Sequence, residues 1–113
     1  MRSYLSIFAI FSVSILIYSC SPKMATPVEA DLERGSKKFP DLTMTELQKG
    51  QVLYAENCNL CHGYYQPNDV SEDGWKAVVP KMCKKVNRKV GSERIDEKGQ
   101  DQILKYVLSM KTN

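Results

Sequence analysis

Hydrophobic positions along this chain recur at helical intervals, and no stretch keeps the two-residue alternation of a half-buried strand. Met44, Leu47, Gln51 and Tyr54 fall on one face of a helix expected from about Met44 to Asn57. Thr43 stands in its N-cap position with Glu46 three residues on, a capping-box pair. His62 to Val70 contains Gly63, Pro67 and Asn68 and reads as a loop. Ser71 is then expected to cap a short helix through Glu72, Trp75, Val78 and Val79. Pro80 should end or kink that helix, because proline lacks the N–H and its ring crowds the preceding turn. Residues 84–95 have no clean period, contain Gly91 and read as a basic loop. A last helix is expected from near Asp96 to about Lys111, with Ile103, Tyr106, Val107 and Met110 as its apolar stripe. There are no repeats, and the fold class this pattern predicts is all-α, with about three helices.

The first residues carry a different pattern. After Arg2, the run from Tyr4 to Tyr18 is apolar and uncharged, too short to span a membrane comfortably and of the length of a signal-peptide core. It ends in Ile17-Tyr18-Ser19-Cys20, which resembles a bacterial lipobox: an aliphatic residue at −3, a small one at −1, then cysteine. Residues 1–19 are therefore expected to be a lipoprotein-type signal peptide, with Cys20 lipidated; cleavage nearby or an uncleaved anchor are the alternatives. Residues 20–41 hold prolines and mixed charges without periodicity and are expected to form a lipid-anchored flexible tether. Residues 42–113 would form the one domain. About 70 ordered residues make a thin core, at a size where a staple is normally needed.

Chemistry concentrates in Cys58-Asn59-Leu60-Cys61-His62, a C-x-x-C-H run. The spacing is the attachment signature of a c-type haem: two thiols on one side of a turn add to the porphyrin vinyl groups, and the histidine after them becomes the proximal iron ligand. A covalent haem would also supply the missing core. Two other readings remain open at this point. Cys58, Cys61, His62 and Cys83 could form a Cys₃His zinc site, although Cys83 has no close partner of the right type. Cys58 and Cys61 could be a redox pair, although the βαβ pattern that usually accompanies one is missing. With Cys20 assigned to lipid, Cys83 is the odd cysteine and is expected to be a buried small residue, an intermolecular disulfide being the alternative.

Three helices with C-x-x-C-H at the end of the first resemble the class I c-type cytochrome family over about Leu42 to Met110. In that family a glycine and an aromatic four residues apart on the first helix face an aromatic on the last; Gly50, Tyr54 and Tyr106 match. His62-Gly63, Pro67, Trp75 and Pro80-Lys81-Met82 follow in order the pattern of small monohaem lipoprotein cytochromes. The resemblance implies a cytochrome c-like fold packed around one covalently attached haem. It marks Met82 as the second axial ligand, a thioether that closes the iron and raises its potential. Met82 also follows the expected break at Pro80, whereas Met24 lies in the tether, Met44 begins the first helix and Met110 belongs to the last helix's stripe. The resemblance further suggests that a carbonyl near Pro67 accepts the His62 imidazole N–H. Trp75 is expected in the core, packed on the porphyrin edge or donating to a propionate. Tyr64 and Tyr65 could cover the haem or simply pack.

Lys81, Lys84, Lys85, Arg88 and Lys89 stand together without an acidic residue between them, and are expected either to rim the haem edge for acidic redox partners or to form a solvated loop. Nucleic acid is a poor reading for a partner, given the expected export and a net charge of only +3. No acid/base pair or nucleophile–base constellation accompanies the motif, so an electron carrier is expected rather than an enzyme, alone or as a subunit of a larger oxidoreductase. The expected function is electron transfer on the periplasmic side of a bacterial envelope, cycling Fe(II)/Fe(III) with His62 and Met82 as axial ligands. The competing functions are a haem-based sensor with an open sixth position and a zinc-binding structural lipoprotein.

Overall fold

Thr43 and Asp96 do what their positions promise. The Thr43 hydroxyl accepts from the Glu46 N–H at 3.2 Å, and the Asp96 carboxylate accepts from the Gly99 N–H at 2.7 Å. Each satisfies an orphan donor at a helix start. The Glu46 side chain does not close the capping box; it faces Lys105 at 3.7 Å. The computed structural model describes residues 23–112. They form α1 (Glu29–Ser36), α2 (Met44–Asn57), α3 (Glu72–Val90) and α4 (Glu97–Ser109), with a 3₁₀ turn at Pro67–Asp69. The chain is all-helical, with no strand among the described residues. The expected signal peptide and Cys20 lie outside the described residues.

The central element is α4, which packs against α1, α2 and α3. Its crossing with α2 is made close by Gly50. A Cβ there would meet the Gln102 carbonyl and lie 2.7 Å from the Tyr106 Cβ, so no side chain larger than hydrogen fits without moving a backbone. Tyr54, one turn on, places its ring 6.2 Å from that of Tyr106 and edge-on to Trp75 of α3 at 6.0 Å. The meeting of Gly50, Tyr54 and Tyr106 expected from the sequence is thus present as a helix crossing.

Two expectations are corrected. Pro80 does not end the third helix, and the basic loop expected over 84–95 is largely helical, because α3 runs unbroken to Val90. A proline inside a helix costs about 3 kcal/mol through its lost N–H and ring clash. Against this, α3 buries Trp75 and Val79 before the proline and Cys83 and Val86 after it, one stripe on a single wall of the core. Burying a Val-sized side chain is worth about 1.5–3 kcal/mol, so the turns beyond Pro80 hold the helix together. It stops instead at Gly91, whose φ of 74° is the left-handed cap, with its N–H on the Asn87 carbonyl at 3.0 Å.

The second correction concerns residues 23–41, expected to be a flexible tether. They carry α1 and are built into the fold, which adds a fourth helix to the three expected. Met24 is 5% exposed and belongs to the core. The Tyr106 hydroxyl donates to the Ala25 carbonyl at 2.7 Å, and the Gln51 amide donates to the Met24 carbonyl at 3.2 Å. Arg34 bridges Asp31 at 2.8 Å and the Ser109 carbonyl at 2.6 Å, satisfying an orphan acceptor where the α4 dipole is negative. These partners are backbone groups and single side chains far off in sequence, so no periodicity announces them.

Two stability measurements check this packing. Gly50→Ala is expected to destabilise by about 1–3 kcal/mol in denaturant unfolding, from overpacking against the Gln102 backbone, although alanine is the better helix former by about 1 kcal/mol. A stabilised variant would contradict the close crossing. Arg34→Ala is expected to cost about 1–2 kcal/mol through the lost charged hydrogen bonds, while Glu33→Ala on the exposed side stays within about 0.5 kcal/mol.

Candidate functional site

The end of α2 sets the site. Cys58 is the helix C-cap, its N–H still on the Tyr54 carbonyl at 2.9 Å, and the chain then turns through Asn59 and Leu60 to Cys61 and His62. Returning, it is fastened to α2 twice: the Tyr54 hydroxyl donates to the Tyr65 carbonyl at 2.8 Å, and the Tyr64 hydroxyl donates to the Ala55 carbonyl. The loop that follows is held by buried Trp75, whose indole N–H donates to the Pro67 carbonyl at 2.9 Å. The Lys111 ammonium adds bonds to the Pro67 and Val70 carbonyls at 3.2 and 2.7 Å.

Between this turn and α3 lies a cavity of about 480 Å³. The α2 end and the loop contribute Tyr54, Asn57, Cys58, Cys61, His62, Tyr65 and Val70. From α3 come Gly74, Trp75, Val78, Met82, Lys85 and Val86. Apolar and aromatic side chains dominate, and the volume falls in the range of small-molecule and cofactor sites, about 300–1,000 Å³. Cys58, Cys61, His62, Trp75 and Met82 are therefore brought together from two elements. Met24, Met44 and Met110 do not line this cavity. Met82 reaches it from the interior of a regular helix and not from a chain break, as the sequence had led us to expect.

The second-row contacts differ from the expected ones. His62 Nδ1 lies 2.8 Å from the Gly63 carbonyl, which can only accept, so Nδ1 is the donor there and Nε2 is the nitrogen left outside this bond. Gly63 thus takes the role expected of a carbonyl near Pro67. The Pro67 carbonyl instead receives the Trp75 indole N–H, so that donor is engaged within the fold. Tyr64 packs against Tyr54 with ring centroids 5.9 Å apart, while Tyr65 is 53% exposed and stands edge-on to His62 at 5.4 Å.

The two motif thiols are in different surroundings. Burial, and then the nearby Cys83, push the half-buried Cys58 thiol up to about 12. Cys83 is buried in the core, as expected for the odd cysteine, and burial pushes its thiol up to about 11. Cys61 is exposed, with the Lys89 ammonium 3.9 Å from its sulfur and donating to the Leu60 carbonyl at 2.7 Å. Among the described residues no three or more Cys, His, Asp or Glu side chains gather where they could hold a metal ion, so Cys58, Cys61, His62 and Cys83 do not form the Cys₃His set.

The basic run is divided by the continuity of α3. Lys85 lines the cavity and Lys89 touches the motif turn, while Lys81, Lys84 and Arg88 are exposed and line neither. Sequence reasoning missed Asn57. It is 1% exposed, its amide donates to the Leu53 carbonyl at 2.8 Å, and its Oδ1 is buried without a partner. The signal was present, since Leu47, Gly50, Tyr54 and Asn57 continue one stripe of α2.

No protein-family model, curated protein or solved structure matches this chain. In the folded chain with free thiols, iodoacetamide at mildly alkaline pH is expected to modify Cys61 more than about tenfold faster than Cys58, since the thiolate is the reactive form. Peptide mass mapping over time measures this, and equal rates would contradict the burial of Cys58.

Proposed function

We propose that this protein is a small exported electron carrier of the c-type cytochrome kind, with one haem bound through Cys58 and Cys61 and ligated by His62 and Met82. The observation that supports this reading is the convergence of the C-x-x-C-H turn and Met82 on one apolar cavity from separate elements. The residues fit the group in three respects. The cavity is large and apolar enough for a porphyrin face, and two thiols stand three positions apart on its wall. An imidazole with a free Nε2 and a thioether are the only soft or nitrogen donors the reading needs.

Haem in such a site exchanges one electron between Fe(II) and Fe(III). The protein's part is to position and to exclude. Gly63 holds the imidazole proton on Nδ1, which orients the ring and leaves Nε2 to face the iron. Trp75, Val78 and Val86 keep one wall dry, which favours the less charged iron state. Met82, which lines the cavity, would hold the iron by its thioether and so exclude a substrate or gas. With lipid on Cys20, only Ser21, Pro22 and Lys23 would separate the anchor from buried Met24, so the domain would ride close to the membrane surface.

The test is a covalent haem stain after denaturing electrophoresis of the exported chain. We expect staining of the wild type and none of Cys58→Ala/Cys61→Ala. We expect Met82→Ala to keep its stain, lower the midpoint potential and bind carbon monoxide rapidly when reduced. Absence of covalent haem in the wild type would sink the reading. Rapid carbon monoxide binding by the wild type would favour the sensor function with an open sixth position.

A further inference from the structure

A haem brings two carboxylates, and this cavity is short of groups to receive them. An ionised carboxylate at an apolar wall needs either water or a paired cation. Most donors that line the cavity are already engaged: the Trp75 indole with Pro67, the Tyr54 hydroxyl with Tyr65, the Asn57 amide with Leu53 and His62 Nδ1 with Gly63. The exposed Tyr65 hydroxyl is a free neutral donor, but it carries no charge to pair with a carboxylate. One cationic lysine or arginine lines the cavity, Lys85, and no Asp or Glu lines it. Lys85 is exposed and makes no hydrogen bond or ion pair among the described residues. It follows Met82 by three residues and Val78 by seven, so the unbroken α3 sets all three on one stripe.

We infer that Lys85 is the carboxylate-binding residue of this cavity, its ammonium taking a haem propionate at the solvent edge. The inference rests on the haem reading above and extends it to a residue that the basic run alone would have assigned to partner docking. Exposure suits the role, because an ammonium on a four-carbon stem can lay its chain on the apolar wall and keep its head in water. The pairing has an electronic consequence. A fixed positive charge near the haem favours the ferrous over the ferric state, so Lys85 would raise the midpoint potential as well as orient the ring. It divides the basic residues by task, leaving Lys81, Lys84 and Arg88 free for an acidic partner.

The experiment uses the full exported chain with its haem attached and compares Lys85→Gln, Lys85→Arg and Lys84→Gln. The readouts are the midpoint potential and the propionate-bending band in the resonance Raman spectrum, which responds to the hydrogen bonding of the carboxylates. Lys85→Gln is expected to lower the potential and shift the band. Lys85→Arg should retain both wild-type values, and Lys84→Gln, with the same charge change one residue away, should leave the band in place. Loss of attached haem in Lys85→Gln with full attachment in Lys85→Arg is the same result in a stronger form. A Lys85→Gln protein that carries haem with an unshifted band overturns the inference while leaving the haem reading intact. A wild-type chain without covalent haem removes both.

Discussion

Tyr54 holds three helices and the motif loop to one another. Its ring meets Tyr64, Trp75 and Tyr106 at centroid distances of 5.9, 6.0 and 6.2 Å, joining α2 to the loop, to α3 and to α4. Its hydroxyl holds the loop through the Tyr65 carbonyl, and its own carbonyl receives the Cys58 N–H. This position is reachable only because Gly50 lets α2 approach the α4 backbone. One residue without a side chain thus fixes where the motif turn leaves the core. Burial pushes the Tyr54 hydroxyl's pKa upward, so it stays a neutral donor in this role.

The unbroken α3 is the second constraint. A helix that stopped at Pro80 would leave Met82, Lys85 and Lys89 without a common register. Continued, it presents Val78, Met82 and Lys85 to the cavity and brings Lys89 against the Leu60 carbonyl. Its burial stripe of Trp75, Val79, Cys83 and Val86 runs beside that face. The same helix therefore serves both the core and the site, with Trp75 and Val86 belonging to both, and sends Lys81, Lys84 and Arg88 to solvent. The chemistry proposed for the site depends on this division as much as on the motif.

Much of the site was legible because its residues lie in short, spaced patterns. Cys58, Cys61 and His62 are five positions of sequence, and the Gly50–Tyr54 spacing is one helical turn. Thr43 and Asp96 marked helix starts that the structure keeps. The contacts of Arg34, Gln51 and Tyr106 with α4 or with residues 24–25 were illegible, since each joins one side chain to a distant carbonyl. Lys111 is similar: its reach to Pro67 and Val70 spans more than forty residues.

The family resemblance marked the Gly50–Tyr54–Tyr106 crossing, while local spacing already specified the all-helical class and the grouping of two thiols with an imidazole. These follow from spacing along one or two helical turns, where backbone geometry leaves little choice. Packing between distant segments settles that residues 23–41 belong to the fold, that α3 passes through Pro80, and that the Trp75 indole is engaged while Lys85 is not. Those outcomes weigh a local preference against burial and pairing by distant parts of the chain. A proline's cost or an indole's spare donor cannot be judged until the structure shows what packs against it.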